Sequence, residues 1–521
     1  MSATGSSPGE AHSGASQSSI GEAIALAFPR HQLRARTARG LLINAVFMSG
    51  AEGLVLLQGL ITTILLGPQT VGLYGIVTTT AVTVAALRRV GIDEAFVQQR
   101  EADQEQEFQR AFTLELLVGA AFSLVLIAIA PLVALVYGNS RLLALMIAVA
   151  YLPTAFALQA PAWVFFRKMD FLRVRVLQAI VPVVTFCVTI PLAATGFGVW
   201  SLVIGPAAGN SAAVVACLVV SAYPLRLRFD AQSRRRYFRF SWPVFVTAAA
   251  LLLVGQGQVL AFTLHGGLAA AGYITLAVTL TRYADRADQI IATTIYPAIC
   301  VVRDQLDTLR ETFVSSNRLA LMWVLPFCTG FILFAGDLVH FVLGHRWGPA
   351  VLLLQGLAGV AAIQQLGYNW FSFYRARGDS ARQAVEAVVL TGGFLALAVP
   401  GLVLWGVWGF IGGRLVAALL VLAVRRHYVH RLLGVELLGL GARGAGPVAV
   451  AALAVLGLRG LVWSGQRSPW QVAVELVVFL GLSALLTVAA ERPLMGELRR
   501  QLRSLRTPAP ALNQGRAIST S

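Results

Sequence analysis

Long apolar runs alternate with short polar breaks along this chain, and each run is about 20 residues, the length of a helix that crosses a bilayer. The pattern predicts spans near 41–66, 71–91, 111–136, 142–164, 176–195 and 199–222, then near 241–264, 270–292, 319–342, 349–372, 384–405 and 408–424. Two more, near 446–464 and 470–490, have no earlier counterpart. The first twelve read as two copies of one six-helix unit. Phe165-Phe166-Arg167 returns 208 positions later as Phe373-Tyr374-Arg375, and Gly198-Val199-Trp200 returns at the same spacing as Gly406-Val407-Trp408. At a spacing of 200, Gln58, Gly67 and Gly72 answer to Gln258, Gly267 and Gly272. With six spans each, both copies enter the membrane from the same side, so their symmetry axis is expected along the membrane normal. Weak internal symmetry of this kind marks a transporter with a pathway between its halves.

The expected fold is an all-α polytopic membrane protein of about 14 transmembrane helices, two six-helix lobes as parallel repeats plus two extra C-terminal helices. Its parts are a disordered N-terminal tail (1–38), an N-lobe (39–236), a C-lobe (237–428), the two additional helices (429–491) and a disordered basic tail (492–521). The N-terminal stretch, rich in Ser, Gly and Ala, lacks the apolar core of a signal peptide and is expected to stay uncleaved.

Composition agrees. At 57% hydrophobic, 12% charged and mean hydropathy +0.73, the chain carries too much apolar surface for a soluble protein. A net charge of +17 first suggests nucleic acid, but the arginines recur in short clusters between spans. Arg34, Arg36 and Arg39, then Arg167, Arg173 and Arg175, Arg226 and Arg228, Arg375 and Arg377, and Arg425 and Arg426 all fall on one predicted side. The other side holds little beyond Arg141, Arg346 and Arg467. By the positive-inside rule both termini are expected to be cytoplasmic. Cys187, Cys217, Cys300 and Cys328 sit inside apolar runs at no metal-ligand spacing, so no metal or cofactor is expected. No Walker lysine motif, nucleophile elbow or HExxH occurs, and the chain is not expected to be an enzyme.

Ionisable groups within spans are costly and usually face a wet cavity. Glu52, 15 residues from Gly67 and 13 from Arg39, is expected near the midplane. It is a candidate proton or cation site, with an acid satisfied by a neighbouring helix as the competing reading. Arg282 stands ten residues past Gly272, and Arg282, Asp285 and Arg286 would share one face of an α-helix. An arginine there suits a pyrophosphate through its bidentate fork. The bland alternative is a self-neutralised pair with Asp285, which is also a candidate ion-coupling acid. Arg88 and Arg89 are candidate ligands or snorkelling anchors, and Arg414, which stands where the first copy has Pro206, is a further candidate cation. Gln58 and Gln258 could bond sugars or, more economically, each other's neighbouring helices. Trp200 and Trp408, with Tyr74 and Tyr273, read as interface-belt aromatics, and Glu115 and Glu386 as acids hydrated near the cytoplasmic surface.

Several stretches carry a family resemblance. These are Leu66-Gly67-Pro68-Gln69-Thr70-Val71-Gly72-Leu73-Tyr74, Ala95-Phe96-Val97-Gln98-Gln99, Phe166-Arg167-Lys168-Met169-Asp170-Phe171, and Gly196-Phe197-Gly198-Val199-Trp200-Ser201-Leu202. In them the chain resembles the lipid-linked oligosaccharide flippases of the polysaccharide transporter family, in the MOP superfamily that also holds multidrug/toxin exporters and lipid II flippases. The resemblance covers about residues 40–490. It implies two lobes facing in a V, alternating access, and a cargo of oligosaccharide on a polyprenyl pyrophosphate for exopolysaccharide or O-antigen assembly. Membrane lipids are the implied surroundings, with a polysaccharide polymerase and export machinery as candidate partners and no nucleic acid. A cation exporter of the same fold and a polytopic polymerase or ligase are the alternatives, the latter disfavoured by short outer turns.

Overall fold

A computed structural model describes residues 50–88, 103–168, 170–228, 231–286, 305–377, 382–461 and 467–496, with Phe47, Ile92, Phe96, Ile291 and Ile299. Arg89 lies outside these residues, as do the side chain of Arg88 and nearly all of both proposed tails. The described residues are mostly helical, with no strand among them. The N-lobe comprises α1 (Gly50–Leu65), α2 (Pro68–Arg88), α3 (Gln104–Val136), α4 in three segments (Arg141–Val149, Leu152–Leu158 and Ala162–Arg167), α5 (Phe171–Ala194) and α6 (Val199–Val219). A single helical run, Ala231–Thr281, breaks at Gly266 and Gly267 into α7 (231–265) and α8 (268–281), and α8 ends in a 3-10 turn, Arg282–Asp285. Next come α9 (Leu306–Asp337), closing in a π segment, and α10 in two segments (Ala350–Gln364 and Trp370–Ala376). The last pair of the C-lobe is α11 (382–405) and α12 (407–433), divided at Gly406. Beyond them lie α13 (Leu437–Leu461) and α14 (Pro469–Ala490).

Local chemistry sets several boundaries. Asp103 caps α3 by accepting from the Gln106 amide at 3.0 Å, and Asp170 caps α5 by accepting from Arg173 at 3.3 Å. Ser468 and Gln471 form a reciprocal capping box at α14. Helix α3 therefore starts inside the acidic stretch that the hydropathy pattern leaves as loop, because its cap and the buried Glu107, Phe108 and Gln109 fix these first turns in the fold.

The internal repeat is visible in backbone angles. Gly198, before α6, adopts φ 56°, ψ −130°, and Gly406, before α12, adopts φ 61°, ψ −145°. A side chain disfavours that region, so glycine is required at the same turn of both lobes. The fourth helix of each lobe is also broken at matching places, around residues 159–161 and 365–369. In the C-lobe Arg425 donates to the freed carbonyls of Gln364 and Leu366, and beside the break the side chains are tied together, Asn317 donating to Asn369 Oδ1 at 2.8 Å and Asn369 to Ser316 Oγ at 2.7 Å.

Among the described residues, the hydrophobic cores that the two lobes share lie at the face of the short turns. There a shared core combines Leu66 and Val71 of the N-lobe with Phe262, Ile274, Trp347 and Phe410 of the C-lobe. A second shared core places Val259 and Ala271 against Ile76, Leu145 and Val203. At the opposite, arginine-rich face each lobe keeps its own core: Phe96, Phe108 and Phe112 in one, Phe313, Trp370 and Phe373 in the other. The described helices thus form a V, closed at the short turns and parted toward the basic face.

Closure at the short turns is tight and two-fold. A Cβ on Gly72 would fall on the Leu268 carbonyl, and one on Gly272 would fall on the carbonyl of Pro68, the repeat partner of Leu268. Across the lobes, buried Trp347 donates its indole N–H to the Thr63 carbonyl at 3.1 Å, and Arg346 donates to the Ile64 carbonyl. These carbonyls belong to the last turn of α1 and have no partner within it. Arg346, on sequence grounds a stray charge on the wrong side, is a cap on the other lobe's helix. Tyr74 and Tyr273, expected in the interfacial belt, pack instead in the shared core, with the Tyr273 hydroxyl donating to the Arg346 carbonyl at 3.2 Å. Trp200 and Trp408 are exposed, as a belt requires.

Candidate functional site

Where the V parts, four charged side chains gather between α1 and the end of α8: Glu52, Arg282, Asp285 and Arg286. Helix α8 begins just after the Gly267 kink, close to the expected start near 270, and Arg282 lies 15 residues past that kink, about 22 Å from the short turns. Glu52 is equally far from Gly67 on α1, about 22 Å. Both therefore stand at the same depth from the short turns. Here Arg282 is exposed, and the Glu52 and Arg286 side chains are partly exposed.

The pairing differs from that expected of a regular α-helix. Residues 282–285 form a 3-10 turn, which winds more tightly than an α-helix and turns Arg286 away from Arg282. Asp285 accepts from Gln365 Nε2 at 2.5 Å, within the C-lobe. Arg286 instead crosses to the N-lobe, its Nη2 lying 3.1 Å from Glu52 Oε2, while its guanidinium also covers the Tyr283 ring at 5.9 Å. Arg282 is exposed and forms no ion pair among the described residues. Trp323 of α9 donates to the Tyr283 carbonyl at 3.4 Å, holding the tight turn. The self-neutralised Arg282–Asp285 pair is absent.

The remaining candidates are dispersed. Arg414, about 12 Å from the Gly406 kink, lies on the inward face of α12 with Phe410, Ile411, Ala417 and Ala418, and its Nε and Nη1 are buried without a hydrogen-bond partner. Gln258 is buried on α7, whereas Gln58 is half-buried on α1. Neither joins the charged group at the mouth.

Sequence reasoning missed the ion pairs that hold the C-lobe together. Glu386, expected to be hydrated, instead binds Arg425 at 2.5 Å and accepts from Trp370 Nε1 at 2.5 Å. Glu115 is buried as well. Arg382 lies over the rings of Tyr374 and Tyr428, at 4.3 and 5.3 Å. The two extra helices are docked by a four-member network. Glu475 of α14 receives Arg459 of α13 at 2.7 Å and Arg467 at 2.9 Å, and Asp337 at the end of α9 receives Arg467 at 2.6 Å and Arg459 at 3.5 Å. A salt bridge from Arg318 to Glu491 repeats the tie at the basic face. The only available signal was an isolated acid or arginine within an apolar run.

Among known proteins, the family profile described as "Polysaccharide biosynthesis protein" matches residues 62–352. No curated protein matches the chain. Among solved structures, the lipid II flippase MurJ in an inward closed conformation is similar, with TM-score 0.63 and 11% identity over 87% of this chain and 100% of that one. An inward-facing multidrug resistance MATE family transporter of the MOP superfamily gives TM-score 0.60 at 15% identity, over 73% of this chain and 94% of that one. An outward-facing MATE transporter gives 0.54 at 17% identity, over 78% and 100%. These likenesses are of fold.

Proposed function

Because this chain belongs to the polysaccharide biosynthesis protein family, we propose that it is a flippase for polyprenyl-pyrophosphate-linked oligosaccharide repeat units, working by alternating access. The basic face is cytoplasmic in this reading, in keeping with its arginines, so the cleft takes up cargo from the inside of a bacterial inner membrane. A polymerase and export machinery would receive it outside. The observation that carries the reading is Arg282: exposed, without an ion pair among the described residues, and standing at the mouth of the cleft beside a second arginine. A pyrophosphate leaving water needs fixed positive charge and matching donors, which a guanidinium supplies in one rigid fork. Arg286, and Arg414 deeper in the C-lobe, would extend the cationic path, while Gln58 and Gln258 are the groups suited to sugar hydroxyls. Glu52 and Asp285 are the acids that could couple an ion once Arg286 and Gln365, which they hold here, let them go.

Cation export by the same fold is the competing reading. It would need carboxylates available to the cleft, but Glu52 already holds Arg286 and Asp285 already holds Gln365. The two readings separate in proteoliposomes loaded with either a fluorescent pyrophosphate-linked glycolipid or a cationic dye. Translocation of the glycolipid alone, lost in Arg282→Ala at normal abundance, is expected. Movement of the dye alone would overturn the proposal.

A further inference from the structure

Glu52 and Arg286 form the one ion pair among the described residues that joins the two lobes. Its setting differs from that of the other pairs. The Glu386–Arg425 pair is 17% and 11% exposed and Glu475 is fully buried, so those pairs are fixed parts of the helix packing. The Glu52 and Arg286 side chains are 33% and 42% exposed at the open end of the cleft, within reach of water and of any solute that enters. Exposed pairs are weak, and an anion of higher charge can replace the carboxylate.

Resting on the flippase reading above, we infer that Glu52 is the resident counter-ion of the cargo site and sets its selectivity. While the cleft is empty, Glu52 neutralises Arg286. An incoming anion must displace it, and the outcome depends on that anion's charge and number of acceptor oxygens. A pyrophosphate diester offers two negative phosphoryl groups and can engage Arg282 and Arg286 together. A phosphodiester, the headgroup link of ordinary membrane phospholipids, offers one negative charge, no more than the carboxylate it would have to evict. Glu52 therefore keeps bulk phospholipid off a partly exposed arginine at the open end of the cleft, and admits the diphosphate cargo. The displaced carboxylate is left facing water, and the link between the lobes is broken only in the loaded state.

The test uses the full chain purified in detergent, with inorganic pyrophosphate and dimethyl phosphate as probes and calorimetry as the readout. Wild type should bind pyrophosphate and not dimethyl phosphate. Glu52→Gln, nearly isosteric, should bind pyrophosphate about fivefold more tightly, the equivalent of about 1 kcal/mol for a partly exposed pair, and should now bind dimethyl phosphate. Glu52→Ala should do the same, and Arg286→Gln in the Glu52→Gln background should abolish the gain. Unchanged selectivity in both Glu52 variants, or wild type that binds dimethyl phosphate as well as pyrophosphate, overturns the inference. If the Glu52 variants leave selectivity unchanged while pyrophosphate binding still depends on Arg282, the inference fails and the flippase reading stands. If pyrophosphate binding is indifferent to Arg282→Gln and Arg286→Gln, the reading itself fails.

Discussion

Gly75 of α2 lies so close to the side chain of Thr275 in α8 that a Cβ on the glycine would overlap the threonine hydroxyl. The contact sits one turn from the mutual approach of Gly72 and Gly272, and together they make the short-turn end of the V a glycine-lined seam between the lobes. Small residues let helix backbones approach in this way, and dispersion over the seam then holds them.

Gly75→Ala should wedge that seam open. Overpacking costs about 1–3 kcal/mol, enough to shift a closed-to-open equilibrium roughly tenfold or more. A cysteine placed at Thr63 should become more reactive to aqueous thiol reagents, and transport should fall. Thr275→Gly in the same chain removes every atom in the clash and should restore both. Equal reactivity in Gly75→Ala and wild type would show that the seam is not a gate.

Arg282→Lys separates charge from geometry. A lysine keeps the positive charge but not the planar fork, so transport of a pyrophosphate-linked lipid should fall to an intermediate level, above Arg282→Ala and below wild type. Full transport in Arg282→Ala at normal abundance removes Arg282 from the cargo path.

Arg414 is a buried cation with two unpartnered nitrogens. Replacing such a group by an apolar residue of similar volume is often stabilising by ~1–4 kcal/mol. Arg414→Met should therefore raise the unfolding temperature in detergent, and transport should nonetheless decrease, because a charge kept at that cost serves the cargo. Undiminished transport would limit Arg414 to a structural role.

Glu475 anchors the two extra helices through two arginines. Glu475→Ala leaves both cations without their shared carboxylate, and the expected loss is about 3–5 kcal/mol, seen as a lower unfolding temperature and lower abundance. Replacing Asp337, Arg459, Arg467 and Glu475 together with apolar residues should recover most of it. Failure of the quadruple variant to recover would mean that the network does more than dock α13 and α14.

Orientation is tested by single cysteines at Gln69, Gly266 and Gly406, which should label with membrane-impermeant reagents from outside the cell. Cysteines at Arg173 and Arg377 should label only after permeabilisation. The reverse pattern would invert the membrane orientation and the direction of transport.

The spans, the two extra helices and the two-copy plan follow from the chain alone, because each depends on residues near in sequence. A run of apolar residues is long enough to cross a bilayer wherever it lies, and the glycines at 198 and 406 are needed for a local turn whatever surrounds them. Glu52, Arg282, Asp285 and Arg286 could be singled out for the same reason, since a charge in an apolar run is visible without a fold. Their partners could not. Whether Asp285 meets Arg282 or Gln365 depends on where the break in α10 sets Gln365, and Glu52 meets Arg286 only because the lobes close at the far face and leave α1 beside α8. The Asp337, Arg459, Arg467 and Glu475 network joins positions up to 138 residues apart. Hydropathy is a sum over neighbours along the chain, but an ion pair is decided by distance in space, and only the packed helices set that distance.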